Sequence, residues 1–311
     1  MHIVVETVLL ILHVIYEMLM SLVKWFLPTT YKSVENEVCL ITGGGSGIGR
    51  LMALEFAKRG AVLVLWDVNV KGNEETAEMI RQSGGKAFAE KCDVSNREEV
   101  YKMAQKAKGV AGDVTILVNN AGIVYGKDFM EITDEQLEKT MQVNSLAHFW
   151  TVRAFLPSMM EKNYGHIVTI ASVMGLFAAP GMPGYVASKF AAVGFNNGLE
   201  LDLRKYKKDG IRTTVVCPYH IMTGMFTGVK TRFSNLLPSL TPEQCVESIM
   251  HAVLTDRVMV CIPRSMYISY NIQTWMPHKV GLLLHDFLGS FDSMTGFVPA
   301  RGYQKSISTE S

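Results

Sequence analysis

Val38-Cys39-Leu40-Ile41-Thr42-Gly43-Gly44-Gly45-Ser46-Gly47-Ile48-Gly49 decides the fold. An apolar run of strand length passes into five glycines broken only by Ser46 and Ile48, and then into Arg50 to Lys58, where apolar residues recur at helical spacing. Glycines there turn the chain tightly and let bare N–H groups approach a pyrophosphate at a helix N-terminus, where the dipole favours negative charge. A glycine loop by itself is a common turn, so its surroundings matter. The next apolar run, Ala61 to Asp67, ends in a carboxylate 18 residues after Gly49. That is close to the position from which an acid binds the hydroxyls of an adenosine ribose, although a strand-end turn residue is the plainer reading of a lone aspartate. A carboxylate repels a 2′-phosphate, and neither the glycine loop nor Val68-Asn69 offers an Arg or Lys to receive one, so NAD is expected in preference to NADP. Gly43, Ser46, Gly47, Ile48, Gly49 and Asp67 are the expected cofactor contacts. Asp93 and Val94, ending a further apolar run, are candidates to flank the adenine, though Asp93 could equally hold a turn.

Working outward, Thr115 to Asn119, His166 to Ala171 and Ile211 to Cys217 repeat the strand pattern, each separated from its neighbour by helical periodicity. This is the rhythm of an α/β fold, a single doubly wound parallel sheet of Rossmann type with helices on both faces. Ser95 with Glu98, Thr133 with Gln136 and Thr241 with Gln244 are spaced as helix-capping pairs. Among 311 residues 48% are hydrophobic and 19% charged, and 30 basic residues balance 29 acidic ones to a net charge of +1. That excludes disorder and gives nucleic acid nothing to bind. Cys39, Cys92, Cys217, Cys245 and Cys261 are odd in number, widely spaced and mostly set in apolar runs, which fits reduced buried thiols and no metal site.

The two ends carry the surplus apolar residues. Ile3 to Val23 is long enough to cross a bilayer, which takes about 20 residues. Glu6, His13, Glu17 and Lys24 fall along one line of that helix, so it reads as an interfacial helix or as a span whose polar stripe faces protein. Lys24 and Lys32 follow it and no Lys or Arg precedes it, which places the rest of the chain in the cytosol. Packing of this helix on its own domain is the bland alternative. The expected partition is a membrane-anchoring helix over 1–27, a linker over 28–36, the Rossmann domain over 37–263 and an apolar extension over 264–311. In the extension Met266, Tyr267, Tyr270, Trp275 and Met276 lie near Arg264 and Lys279, ahead of Gly281-Leu282-Leu283-Leu284. A second contact with the bilayer surface and a cover over a dimer interface or pocket are equally good readings of it.

The chemistry is carried by Tyr185-Val186-Ala187-Ser188-Lys189. Eleven tyrosines and 19 lysines make roughly 0.7 such Tyr-x-x-x-Lys pairs by chance, so the pair needs company. One helical turn apart, the ammonium favours the phenolate and so draws the phenol below its ordinary pKa of about 10, ready to take a proton from an alcohol. Ser172 lies 13 residues upstream, just past a strand, where its hydroxyl could hold the substrate oxygen.

The ordered set Thr42 to Gly49, Asn119-Asn120-Ala121-Gly122, Asn144, Ser172 and Tyr185-x-x-x-Lys189 resembles the short-chain dehydrogenase/reductase family over roughly residues 36 to 263. The resemblance implies Tyr185 as general acid/base, Ser172 orienting the substrate oxygen, Lys189 binding the nicotinamide ribose and lowering the Tyr185 pKa, and Asn144 fixing a relay water. It also implies Asn120 beside the cofactor and in support of the central sheet, Pro218 and Ile221 as cofactor contacts, and Thr223 at the carboxamide. Tyr219, where many members have Gly, would narrow the space near the nicotinamide; Val173 replaces a frequent second Ser. Val64 to Asp67, Asn73 to Thr76, Ala154 to Pro157, Cys217 to Tyr219 and Thr223 to Phe226 are similar to the membrane-bound retinol dehydrogenase branch of the family. Tyr219, Ile221, Met222, Met225, Phe226, Leu236 and Leu237 read as an apolar lid, with Tyr219, Met225 and Phe226 against the substrate and only Lys230 and Arg232 as counter-charge. The expected function is oxidation of all-trans-retinol with NAD, by a homodimer on the endoplasmic reticulum membrane or lipid droplet. The alternatives are a hydroxysteroid dehydrogenase, an NADPH-dependent retinal reductase, or a non-catalytic scaffold on a lipid surface.

Overall fold

The computed structural model describes residues 2–27, 29–229, 232–233 and 238–298, without the side chains of residues 24–26. Lys24 of the expected polar stripe, Lys230, Leu236, Leu237 and the tail 299–311 therefore lie outside the described side chains or residues. The chain divides into two compact units, Met1–Lys32 and Ser33–Ser311.

The first unit is α1 (His2–Phe26), within which His2–Val23 has a mean hydropathy of 2.1 and the length needed to cross a membrane. Two exposed contacts run along its polar line, His2 to Glu6 at 2.9 Å and His13 to Glu17 at 3.9 Å.

The second unit is built on seven parallel strands in the order β3-β2-β1-β4-β5-β6-β7. These are β1 (Val38–Thr42), β2 (Val62–Asp67), β3 (Lys86–Lys91), β4 (Ile116–Asn119), β5 (Gly165–Ile170), β6 (Ile211–Pro218) and β7 (Met259–Ile262). All five residues of β1 are buried, as a central strand covered on both faces requires. One face packs on α2 (Gly47–Ala57), α3 (Val70–Gln82) and α8 (Pro242–Leu254), through Met52, Phe56, Ile80 and Ile249. The other packs on α4 (Arg97–Ala111), α6 (Ala147–Lys162) and α7 (Pro183–Lys205), through Val100, Val152, Phe155 and Leu203. Strand order reverses between β1 and β4, so a crevice opens at their C-terminal ends, where ligands of such sheets bind.

Thr133 and Thr241 form complete capping boxes with Gln136 and Gln244, at the starts of α5 (Asp134–Met141) and α8. Ser95 does not cap α4: Asn96 does, accepting from Glu99 N at 3.0 Å, because the Ser95 hydroxyl is turned onto Asp93 Oδ1 at 2.6 Å. Val34 is buried in the core, so the end of the expected 28–36 linker packs with the domain. Packing does not stop at Pro263 either. Met266 of α9 (Ser265–Gln273) is buried with Tyr267 and Tyr270 against β6 and β7, and Val298 N donates to Thr227 O at 2.9 Å. Arg232 Nη1 donates to Phe287 O at 2.8 Å, at the end of α10 (His278–Phe287), so this cation is committed to the extension rather than to a substrate. Ile268, Trp275, Leu283 and Phe287 remain exposed.

Candidate active site

The glycine loop, Asp67, Asn120 and Ser172 lie at the C-terminal ends of strands, whereas Asn144, Tyr185 and Lys189 are carried by helical segments. After β1 the chain takes positive φ at Gly43 (69°) and Gly47 (54°) and enters α2. Ser46, at the N-cap, makes no side-chain capping bond, and no acid lies in the first turn. The leading N–H groups of α2 thus face the crevice without a side-chain acceptor among the described residues, which suits an anionic pyrophosphate. At two positions the loop has no room for a side chain: a Cβ at Gly49 would lie 2.0 Å from Gly43 O, and one at Gly45 would lie 2.9 Å from Asp67 Oδ2. Asp67 ends β2 and accepts from Gly45 N at 2.9 Å and Asn69 N at 2.8 Å, which fixes its carboxylate at the loop's rim. These features fit a dinucleotide.

Arg50 is a neighbour that the reading of the loop missed. It follows Gly49 directly, yet its guanidinium turns back to donate to Gly45 O at 2.6 Å, Gly72 O at 3.0 Å and Glu75 Oε2 at 3.2 Å, with Nε on Thr76 Oγ1 at 2.9 Å. The cation is held by the loop and α3 rather than offered to a 2′-phosphate. Glu75 and Thr76, a full element away in sequence, supply the contacts that commit it.

Asn120 at the end of β4 donates to Thr42 O at 2.9 Å and Gly43 O at 3.1 Å, tying the two strands that flank the switch point. Thr223 comes within 3.9 Å of a Cβ at Gly47, so it borders the loop. Asp93 is expected to flank the adenine or to hold a turn, and the structure shows the turn. Its carboxylate is half-buried and satisfied by Ser95 and by Lys139 Nζ at 3.0 Å; burial alone would raise its pKa, but these hydrogen bonds outweigh it and the net shift is downward. The turn is what Asp93 makes. Val94 is buried in the core, which leaves only its main chain for a ligand. Ile221 packs on the core below the sheet, as Ile48 does.

Ser172 follows β5, starts a 3-10 turn over Val173–Gly175 and accepts from Met174 N at 3.1 Å. Tyr185 and Lys189 lie on the buried face of α7, whose first residue is Pro183, and Lys189 Nζ stands 5.7 Å from the Tyr185 ring centre while donating to Ile170 O at 2.9 Å. A Cβ at Gly122 would come within 3.4 Å of Asn144 Oδ1 and 3.6 Å of Lys189 Nζ, so these groups meet. Asn144 sits in a π-helical turn, Gln142–Leu146. Both amide hydrogens of its side chain are used, on Ile123 O at 2.9 Å and Ser188 Oγ at 3.0 Å, and its Oδ1 accepts from Ile123 N at 2.8 Å.

The electrostatics differ from the expectation of a lowered phenol. Burial pushes Tyr185 up to about 12, against a hydrogen bond with Ser172 that pulls it down, and burial lowers Lys189 to about 8. Desolvation is the largest cause in both groups.

Above Tyr185 lies an apolar cap. Phe226 meets its ring edge-on at 5.6 Å, Phe297 stands 6.3 Å beyond, and Val124, Met182, Met225 and Met294 complete the cluster. Met225 and Phe226 are where the lid reading put them. Tyr219 is not: its ring packs into the core clusters around Cys217 and Ile262, because it follows Cys217 by one pleat period on the same side of β6. Val124, Met182, Met294 and Phe297 were missed, and no motif marks them; only contact between distant segments makes them neighbours.

This catalytic geometry on a doubly wound sheet defines a class, and the chain belongs to the short chain dehydrogenase family, whose model matches residues 37–232. It is 45% identical to retinol dehydrogenase 10 of Xenopus tropicalis, over 97% of this chain and 96% of that one. It is 46% identical to human epidermal retinol dehydrogenase 2, over 91% and 92%. A short chain dehydrogenase/reductase from Burkholderia phymatum, solved in complex with NAD, superposes with a TM-score of 0.70 at 28% identity over 77% of this chain and 93% of that one. The protein is an oxidoreductase of this family, and its fold agrees with the expected Rossmann sheet.

Proposed function

We propose that the protein oxidises a long apolar alcohol, all-trans-retinol before others, to the aldehyde with NAD. The observation that carries this reading is the apolar cap of Met182, Met225, Phe226, Met294 and Phe297 set directly over Tyr185, which suits a polyene chain and offers no charge to a polar substrate. The names of the relatives support the same substrate. Ser172 holds the alcohol oxygen. Tyr185, as phenolate, takes the hydroxyl proton while hydride leaves the adjacent carbon. Lys189 binds the nicotinamide ribose and sustains the phenolate, and Asn144 holds the water through which the proton leaves. A bound oxidised dinucleotide supplies the hydride acceptor and a positive charge beside Tyr185. Gly43, Ser46, Gly47, Ile48 and Gly49 hold its pyrophosphate, Asp67 its adenosine ribose, and Asn120, Pro218, Ile221 and Thr223 line its nicotinamide end. Asp93 and Val94 contribute at most main-chain contacts.

The test is a matrix of retinol and a hydroxysteroid against NAD and NADP, with Asp67→Ser beside the wild type. Retinol with NAD is expected to be fastest. Asp67→Ser is expected to weaken NAD about tenfold, the size of a lost charge-assisted hydrogen bond, and to improve NADP. Faster wild-type turnover with NADP would defeat the Asp67 argument and implicate Arg50; preference for the steroid would defeat the substrate.

We also propose that α1 spans the endoplasmic reticulum membrane, or lies on a lipid droplet, with the domain in the cytosol. Its length, its apolar composition and the basic residues after it support this. The full chain is expected to stay with membranes after alkaline carbonate; release into the supernatant would contradict a span. A homodimer fits Phe149, Phe190 and Leu201, which α6 and α7 leave exposed.

A further inference from the structure

On the side of the sheet covered by α6 and α7, polar side chains stand where apolar ones are the rule. Asn119 of β4 and Thr169 of β5 are register partners; Thr213 of β6 pairs with Ile167, one pleat period along. They lie on the face shared with Leu117, Ile167 and Ile211, under the two helices. The helices bring two more. His148 of α6 is 2% exposed, its ring 6.2 Å from that of Phe195, and Asn196 of α7 is 0% exposed, two turns from Lys189 on the same side of the helix. Thr151, one turn past His148, donates to Asn119 Oδ1 at 2.7 Å.

That bond leaves Asn119 Nδ2 unmet. Both ring nitrogens of His148, both amide atoms of Asn196 and the hydroxyls of Thr169 and Thr213 are also without a partner among the described residues. These are seven of the nine buried side-chain polar atoms in that condition, drawn from five residues on facing elements. Native interiors do not leave so many donors and acceptors unpaired in one place unless water meets them. About three waters, each making about three hydrogen bonds, suffice for all seven atoms.

The end of this seam nearest the chemistry is Lys189. Its ammonium is bonded to the carbonyl of Ile170, the residue after Thr169, and converges on Gly122 with Asn144, one helical turn before His148, whose pKa is pushed down to about 3 by burial first and by Lys189 second. His148 is therefore neutral at working pH, one nitrogen donating and the other free to accept from water.

We propose that the seam between β4–β6 and the helices α6 and α7 is a built water site, and that His148 is a positioning residue whose bound water solvates the inner side of Lys189. A water that gives a proton to the imidazole and turns its oxygen to the ammonium steadies the charge, and so the phenolate, without touching substrate or cofactor. The titratable groups facing Lys189 are Tyr185 on its own helix, Cys217 on β6 with its hydrogen-bonded partner Cys261 on β7, and His148 on α6.

This inference rests on the role proposed for Lys189, but two of its readouts need no turnover. A high-resolution crystal structure of the full chain is expected to show ordered water within hydrogen-bond reach of a His148 nitrogen, continuing toward Lys189; a dry seam would overturn it. Titration of Lys189 followed at its side-chain Cε by NMR is expected to move about one pH unit downward in His148→Leu, and little in His148→Asn. The alkaline limb of kcat/KM should move with it, for about a tenfold loss above that limb. A folded His148→Leu protein with the wild-type Lys189 midpoint would equally sink the idea. Should that variant not fold, Thr169→Val removes one water partner at constant shape and is judged by the same midpoint. Absence of any alcohol oxidation would defeat the proposed function while leaving the water and the midpoint to be read.

Discussion

Tyr185→Phe is expected to lower kcat/KM for alcohol oxidation by about a thousandfold, in the middle of the range for loss of a positioned general acid or base. The ring stays, so the edge-on contact with Phe226 and the cluster with Val124 and Met182 are kept, and the variant should melt near the wild type. Only the phenol oxygen goes, and with it the group that meets Ser172 and can accept the substrate proton. NAD affinity, read by fluorescence quenching, should change little, because the loop, Asp67 and Lys189 are untouched. Full activity with an intact melting profile would mean that the proton leaves by another group. The pH profile adds a second reading. Burial raises the phenol, so below the alkaline limb set by Lys189 the wild-type rate should rise with pH, and that rise should be absent from the residual rate of Tyr185→Phe.

Gly49→Ala is expected to be nearly as damaging for a different reason. Its Cβ would stand 2.0 Å from Gly43 O and 2.6 Å from Asn120 Nδ2, and neither neighbour is the free end of a flexible chain. The loop must move away from the helix, and Asn120 must release Thr42 and Gly43. Overpacking of this kind costs about 3 kcal/mol, and the displaced N–H groups should weaken NAD by about a hundredfold, the worth of two ordinary hydrogen bonds. Gly109→Ala is the control, since a Cβ there meets nothing within 4 Å inside α4 and should stabilise slightly. Equal melting temperatures for the two variants would show that the loop is not built as tightly as these distances require.

The central sheet was legible because its strands are buried on both faces and so read as unbroken apolar runs; β1 is apolar from Val38 to Ile41. The edges were not. In β3 the run Lys86-Ala87-Phe88-Ala89-Glu90-Lys91 mixes charge into a strand covered less fully, and β7 is a four-residue edge strand paired on one side only. Within the site, the ordered set of motifs and the family resemblance it carries pointed to Tyr185, Lys189, Ser172 and the glycines, where spacing alone did not. It could not reveal that Glu75 and Thr76 restrain Arg50, that Asn144 spends its amide on Ile123, or that Tyr219 turns inward. Those depend on which surfaces meet after folding. The pKa of Tyr185 failed for the same reason, since spacing predicts the charge beside a group and not how dry its surroundings become.

The segment that carries Met294 and Phe297 onto the cap over Tyr185 is fastened by the Val298–Thr227 bridge and by Arg232 at the end of α10. Trimming or tagging the chain near that end is thus an intervention in the reaction chamber. A deletion series designed to ask how the enzyme is targeted would also report on turnover, and an affinity handle is safer placed elsewhere.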